Sequence, residues 1–229
     1  MPDIHFILYK PGVPGNVGAA ARAMKTMGFR RLDLIDPCPH LGPEARMLAH
    51  GSGDILEQAR VFQDFGDMAA EFDLVLATTA KSRTAKHEYH SSREVLDLLK
   101  AKASSLNRVG VLFGTEESGL PNELILRSDA AVSIPMATDY PSLNLAQAVM
   151  VMAYELAPLN ALSLPGEEKE KSGEGYGHLK SLTSGLLSDV GIPEGSPLHH
   201  RILERLATVG NNDIPLLLSI AGRINHKED

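Results

Sequence analysis

Apolar runs alternate with amphipathic segments along the first two thirds of the chain. Several runs are short, rich in β-branched residues and closed by turn residues, as strands buried on both faces are. The predicted strands are Ile4–Tyr9, Leu32–Asp36, a short one near Val61, Asp73–Ala80, Val109–Thr115 and Ala131–Met136. Strands that alternate with helices predict βαβ crossovers, so the fold class is α/β, with a mostly parallel sheet flanked by helices.

Helical spacing of apolar residues follows most of these strands. The predicted helices run from an N-cap at Asn16 to Gly28, in one or two pieces over Pro43–Ala59, over Gly66–Phe72, over Ser91–Ala103, after Pro121, and from Ser142 to about Ala157. The polar segment Lys81–His90 is predicted to be a loop.

The composition changes after this region. Residues 1–158 form the predicted α/β domain, residues 159–175 are rich in Gly, Glu, Lys and Ser and form a predicted linker, and residues 176–229 contain three short helical segments. The last part is too small to make much core alone, so we expect it to pack on a partner surface.

Composition and charge exclude several classes of protein. The chain has 229 residues, 43% hydrophobic residues and a net charge of −7, which argues against nucleic-acid binding through general positive charge but not against a local basic patch. No apolar run has the length of a membrane span and no secretory pattern precedes the first strand, so we expect a cytoplasmic protein. The lone Cys38 excludes an internal disulfide, and neither histidine pair, His87 and His90 or His199 and His200, has the third ligand of a metal site.

Two turns follow consecutive buried strands. The first, FGTEESGL, contains Gly114, Glu116 and Gly119, and the second leads into the helix that opens near Ser142 and Asn144. Ligands of open parallel sheets lie beyond the carboxyl ends of strands, so the two turns predict one shared pocket. Alternatively, the first is an ordinary strand-to-helix turn and the two polar residues are only helix N-caps.

Exposed cations are the other candidates for chemistry. Arg22 lies on the first predicted helix, where a permanent cation either binds a phosphate or oxyanion or is a solvated surface charge. The same two alternatives hold for Lys81, Arg83 and Lys86 in the polar loop, together with Lys25.

Three segments in this order, GNVGAAARAMKTMG, LFGTEESGL and IPM followed by SLNLAQAVMVMAYE, resemble the SPOUT superfamily of RNA methyltransferases, specifically the SpoU/TrmH-like ribose 2′-O-methyltransferases. Within that family the chain resembles the bacterial TrmJ-like tRNA (cytidine/uridine-32)-2′-O-methyltransferases. The resemblance covers about residues 4 to 157.

The resemblance implies a deep trefoil knot at the end of the α/β domain, a homodimer and the cofactor S-adenosylmethionine. It makes Arg22 and Asn16 the catalytic residues and Lys25, Lys81, Arg83 and Lys86 the RNA-binding residues. The cofactor-binding residues that it implies are Thr78, Thr79, Ala80, Leu112, Phe113, Gly114, Glu116, Gly119, Ile134, Met136, Ser142, Leu143 and Asn144. Pro141 departs from the pattern, because some relatives carry a small polar residue there and proline has no amide to donate.

The expected function is methylation of the ribose 2′-hydroxyl of tRNA, at nucleotide 32 of the anticodon loop. The alternatives are an rRNA 2′-O-methyltransferase of the same fold, a non-catalytic SPOUT-like protein that binds RNA or senses the cofactor, and a small-molecule methyltransferase.

Overall fold

The computed structural model describes residues 1–80, 89–138, 142–161 and 175–225. Within these residues the chain forms one parallel sheet of seven strands. The strands are β1 (Asp3–Tyr9), β2 (Arg31–Ile35), β3 (Arg60–Phe62), β4 (Leu74–Thr79), β5 (Tyr89–Ser91), β6 (Arg108–Phe113) and β7 (Ala130–Ser133).

Helices follow the strands along the described part of the chain. They are α1 (Pro14–Thr26), α2 (Pro43–Ala49), α3 (Gly53–Glu57), α4 (Phe65–Ala69), α5 (Ser92–Ala101), α6 (Asn122–Arg127), α7 (Leu145–Leu156), α8 (Pro158–Ala161), α9 (Tyr176–Asp189), α10 (Pro197–Leu206) and α11 (Ile214–Asn225). The prediction of an α/β fold with a flanked parallel sheet, followed by C-terminal helices, is confirmed.

The strand order is β3-β2-β1-β6-β4-β7-β5, so β7 lies between two strands that are consecutive in the sequence. β5 was not predicted: Tyr89 and His90 were assigned to a polar loop. This strand has only three residues and no apolar run, and it exists because it pairs with Ala131–Ser133 of β7.

The core has two halves, one on each face of the sheet. Alternate residues of β1 point to opposite faces, because side chains in a strand alternate. Phe6 and Leu8 pack with α1, α5 and α7, whereas Ile7 packs with α4 and α6. Such two-sided burial explains why the strands are continuous apolar runs.

Two predicted helix starts were wrong. Helix α1 begins at Pro14 with Val13 as its N-cap, not at Asn16, because proline fits the first helical position and places Asn16 inside the first turn. Helix α7 begins at Leu145 and not at Ser142, and Asn144 is its N-cap, with its side chain accepting a hydrogen bond from the Ala146 amide.

The C-terminal helices pack on this chain itself, at the amino ends of the strands. The Tyr176 amide donates to the Ser105 carbonyl at 3.0 Å, and the Lys180 ammonium pairs at 2.9 Å with Asp129, which directly precedes β7. Tyr176 and Ile214 belong to the same apolar cluster as the α/β domain, so the three helices do not form a separate core.

The segment between the two parts begins with a helix. Helix α8 occupies residues 158–161, which are the last residue of the predicted α/β domain and the first three of the predicted linker, and residues 162–174 lie outside the described residues. Among the described helices, none combines the length and the hydropathy that crossing a membrane requires.

Candidate functional site

A cavity of about 350 Å³ lies at the carboxyl ends of β4, β6 and β7, which is the edge of the sheet that the two turns predict. Its volume falls in the roughly 300–1,000 Å³ range that is typical of small-molecule sites. The predicted residues that line it are Thr78, Thr79, Ala80, Phe113, Gly114, Glu116, Gly119, Ile134, Met136, Ser142 and Leu143. The structure therefore brings both turns to one pocket.

The first turn depends on a close approach between two stretches of backbone. Thr115 and Gly119 exchange two backbone hydrogen bonds of 3.2 and 3.0 Å, and Gly119 has a φ of +69°, which favours glycine. A Cβ atom on Gly114 would lie 2.1 Å from the carbonyl carbon of Gly119 and 2.2 Å from the Leu120 nitrogen. This wall of the pocket is thus built from backbone, and it leaves no room for a side chain at Gly114.

Several lining residues were not predicted. They belong to the same two turns or to the first turn of α7, namely Thr115, Glu117, Ser118, Leu120, Leu145 and Ala148. Sequence adjacency to Gly114 and Asn144 was the available signal for them. The helical period also indicates Ala148, because residues three apart on a helix lie on the same side.

Two predicted cofactor residues do not line the cavity. The Leu112 side chain is fully buried in the apolar cluster under α4 and α6, and its carbonyl accepts a hydrogen bond of 2.9 Å from the Thr78 hydroxyl. Asn144 caps α7, and its side-chain amide donates to the Asn16 side-chain oxygen at 3.0 Å. Leu112 is therefore bonded to Thr78, which lines the cavity, and Asn144 is bonded to Asn16, a partner of the lining residue Glu116.

A hydrogen-bond network joins the pocket to the beginning of α1. The Glu116 carboxylate accepts from the backbone amides of Gly12 and Val13 at 3.1 and 3.3 Å and from the Asn16 side chain at 2.9 Å. Partial burial alone would raise the pKa of Glu116, but these donors outweigh it and hold the pKa below its usual value. Glu116 is therefore ionised at neutral pH and ties the first turn to α1.

The predicted cations have different surroundings. Arg22 lies on an exposed position of α1, outside the residues that line the cavity. Lys25 donates to the Gly51 carbonyl at 2.8 Å and to Asp54 at 2.7 Å, so an intramolecular ion pair holds this ammonium. Lys81, Arg83 and Lys86 lie outside the described residues.

Comparison with known proteins agrees with this geometry. Residues 3–154 match the SpoU rRNA Methylase family. The LasT protein of Escherichia coli, named as an uncharacterized tRNA/rRNA methyltransferase, is 47% identical over 156 residues, which are 68% of each chain. The tRNA (cytidine/uridine-2′-O-)-methyltransferase TrmJ of Citrobacter koseri is 34% identical over 86% of this chain and 84% of the relative.

Two solved structures extend the comparison to the fold. TrmJ of Z. mobilis has a TM-score of 0.66 at 26% identity, and the match covers 98% of this chain and 99% of that protein. An rRNA methyltransferase of Sinorhizobium meliloti, solved with bound S-adenosylmethionine, has a TM-score of 0.55 at 25% identity and covers 70% of this chain and 57% of its own.

The chain belongs to the SpoU rRNA methylase family and is a methyltransferase that uses S-adenosylmethionine. The cavity fits such a cofactor. Its volume is adequate, Phe113, Ile134 and Leu145 offer apolar walls, and the backbone wall at Gly114 leaves peptide groups near the ligand.

Proposed function

We propose that this protein methylates the ribose 2′-hydroxyl of tRNA, at nucleotide 32 of the anticodon loop. The observation that carries the proposal is the junction at Glu116, where the wall of the cavity is hydrogen-bonded to the beginning of the helix that bears Arg22. The similarity to TrmJ proteins, whose name states tRNA 2′-O-methylation, supports the choice of substrate. Since such RNA is cytoplasmic, we place the protein in the cytoplasm.

The cavity has the electrostatics for a cationic methyl donor. When bound, S-adenosylmethionine supplies an electrophilic methyl group on a positively charged sulfur. Glu116 and Glu117 line the cavity, and no Lys, Arg or His is among its described lining residues, so the local field favours a cation. The apolar walls and the glycine turn set the shape of the site.

Asn16 acts as a positioning residue in this proposal. Its amide group donates to Glu116 and its oxygen accepts from Asn144, so one side chain joins the first turn, α1 and the N-cap of α7. Holding these elements in fixed positions contributes to catalysis, because misplacement by about 1 Å can cost roughly 100-fold in rate.

Arg22 contacts the RNA in this proposal. It lies six residues after Asn16, which is roughly 9 Å along the helix. A guanidinium does not lose its proton at neutral pH, so Arg22 binds a phosphate and stabilises the ribose 2′-oxygen as its proton passes to a phosphate or water. Arg22 does not line the cavity of its own chain, which supports a homodimer in which it serves the cavity of the partner.

We also propose the trefoil knot that the family resemblance implies. β7 pairs with β4 on one side and with β5 on the other, although residues 80–88 connect β4 directly to β5. Passage of the chain that follows β7 through the connection between β4 and β5 would form the knot.

Substitution of Arg22 by alanine tests the proposed chemistry. Arg22→Ala should keep the affinity for S-adenosylmethionine, measured by calorimetry, and should lower methyl transfer to tRNA at least about 100-fold, because a transition-state contact is lost. Lys100→Ala is the control, since it removes an exposed cation at the opposite end of the sheet. Transfer by Arg22→Ala at nearly the wild-type rate would rule out this role.

The substrate is tested with the wild-type protein, labelled S-adenosylmethionine and either total tRNA or rRNA, followed by mapping of ribose methylation. Label at nucleotide 32 of tRNA supports the proposal. Label in rRNA alone favours the second candidate function, an rRNA 2′-O-methyltransferase, which the similarity to the S. meliloti rRNA methyltransferase supports. Absence of label in both RNAs, with the cofactor bound, indicates a non-catalytic protein.

A further inference from the structure

Helix α11 has one buried face and one exposed apolar face. Ile214 and Ala221 are buried towards the rest of the molecule. Leu216, Ile220 and Ile224 are 64%, 57% and 48% exposed. These three side chains are spaced by four residues, so they form one line along the outside of the helix, which we call the α11 ridge.

The chemistry around the ridge suits a protein and not RNA. Residues 214–222 contain no charged side chain, whereas binding to RNA requires cations for the phosphates or aromatic rings for the bases.

We propose that the α11 ridges of two copies of this chain pack against each other. The two helices are antiparallel, and a two-fold axis passes between them at Ile220. In this arrangement Ile220 faces Ile220 of the other copy, and Leu216 faces Ile224. A two-fold interface uses the same patch on both copies, and a single line of aliphatic side chains meets that requirement.

Charge decides the direction of the two helices. Asp213 is exposed just before α11 begins, and Arg223 is in its last turn. Antiparallel pairing places Arg223 of one copy one turn, or roughly 6 Å along the axis, from Asp213 of the other, within reach of its long side chain. Parallel pairing would place like charges together and align the two helix dipoles, which is unfavourable.

The ridge is too small to hold two copies together alone. It supplies three large aliphatic side chains from each copy, whereas a stable interface uses roughly 20–30 residues on each side. The α11 contact is therefore weak and depends on concentration, and it strengthens any other contact between the same two copies by raising their effective concentration.

Cysteine cross-linking tests the arrangement in the full-length protein, with Cys38→Ser as background. We expect Ile220→Cys to cross-link with itself through a short bismaleimide. Leu216→Cys alone should not, because the two sulfurs would lie roughly 12 Å apart along the helices. A mixture of Leu216→Cys and Ile224→Cys should cross-link between the two variants. Self-linking at all three positions would indicate parallel helices, and no linking at Ile220→Cys would show that another surface covers the ridge; either result overturns the proposal.

Self-association measured by sedimentation gives an independent test. Ile220→Lys places two ammonium groups at the axis and should raise the dissociation constant of the dimer at least 10-fold. Val190→Lys is the matched control, because Val190 is 71% exposed at the C-cap of α9 and lies outside the ridge. Equal constants for Ile220→Lys, Val190→Lys and the wild type would overturn the proposal. Both tests are independent of the proposed catalysis, since neither uses cofactor or RNA.

Discussion

The two edges of the sheet show opposite uses of polar groups. At the carboxyl edge, glycine turns and short polar side chains surround a cavity. At the amino edge, charged side chains satisfy one another. The Asp33 carboxylate is 1% exposed and accepts from Arg60 at 2.7 and 2.8 Å and from the His5 ring at 2.7 Å. The carboxyl edge thus encloses a cavity, whereas at the amino edge the charged groups are paired with one another.

The pKa values at the amino edge agree with this division. Burial alone would lower the pKa of His5, but hydrogen bonds and charge from Asp3 and Asp33 outweigh it and raise the pKa. Burial would likewise raise the pKa of Asp33, whereas Arg60 and His5 lower it. Both side chains are therefore stabilised in their charged forms, as expected of a structural ion-pair network.

Removal of Asp33 should produce the largest loss of stability. Asp33→Ala leaves His5 and Arg60 without their shared carboxylate and should lower the free energy of unfolding by about 3–5 kcal/mol, measured with denaturant at pH 7. The affinity for S-adenosylmethionine should be unchanged while the protein is folded. Glu57→Ala, which removes the exposed partner of Arg46, is the control and should unfold like the wild type. A loss below about 1 kcal/mol for Asp33→Ala would show that the network is not a source of stability.

At the carboxyl edge we expect a substitution to lower the affinity for the cofactor. The Cβ atom of Gly114→Ala would clash with Gly119 and Leu120 and open the turn, so we expect affinity for S-adenosylmethionine to fall more than about 100-fold, or about 2.7 kcal/mol. Gly185→Ala in α9 is the control, because no atom lies within 4 Å of its Cβ position. Calorimetry measures both variants, and tight binding by Gly114→Ala would show that the cavity is not the cofactor site.

A smaller effect on the free energy of unfolding is expected where the C-terminal helices meet the amino edge of the sheet. Lys102 is fully buried beside Tyr176, and burial lowers its pKa to about 8 from 10.5, although Asp129 acts in the opposite direction. Below pH 8 the lysine is protonated in both the folded and the unfolded protein. The folded protein is therefore destabilised by the full free energy of burying the ammonium. Between pH 8 and 10.5 only the unfolded state holds the proton, and that cost declines as the pH rises.

Lys102→Met should therefore be more stable than the wild type by about 1–3 kcal/mol at pH 7. The difference between the two proteins should shrink towards pH 10.5. Unfolding of both proteins at pH 7 and pH 10 measures this change. A variant that is less stable by the same amount at both values would show that the Lys102 side chain stabilises the junction through its hydrogen bond to the Val209 carbonyl, whether or not it is charged.

The sequence predicts the elements that depend on local pattern. β1, β4 and β6 are apolar runs because both of their faces are buried, and such runs are visible without a structure. The cavity was predicted for a similar reason, since Gly114 and Ser142 lie in turns that directly follow buried strands. Parallel strands bring such turns to the same edge whatever their separation in sequence.

Features that depend on distant partners were missed. Asn16 has the chemistry of an N-cap, yet its partners Glu116 and Asn144 are 100 and 128 residues away, so its role could not be predicted from neighbouring residues. The ion pair of Lys25 was missed likewise, because Asp54 comes from another helix. Leu112 lies next to Phe113, but the alternation of β6 turns its side chain away from the cavity.

The position of β7 between β4 and β5 has a consequence for the order of folding. The strand occupies its place only after both neighbours have been synthesised, and its pairing with β4 joins residues more than 50 positions apart. Such long-range contacts form late, because a large loop must close before they contribute. The second half of the cavity begins where β7 ends, so partly folded chains lack the complete site. Cofactor binding thus distinguishes finished molecules from unfinished ones.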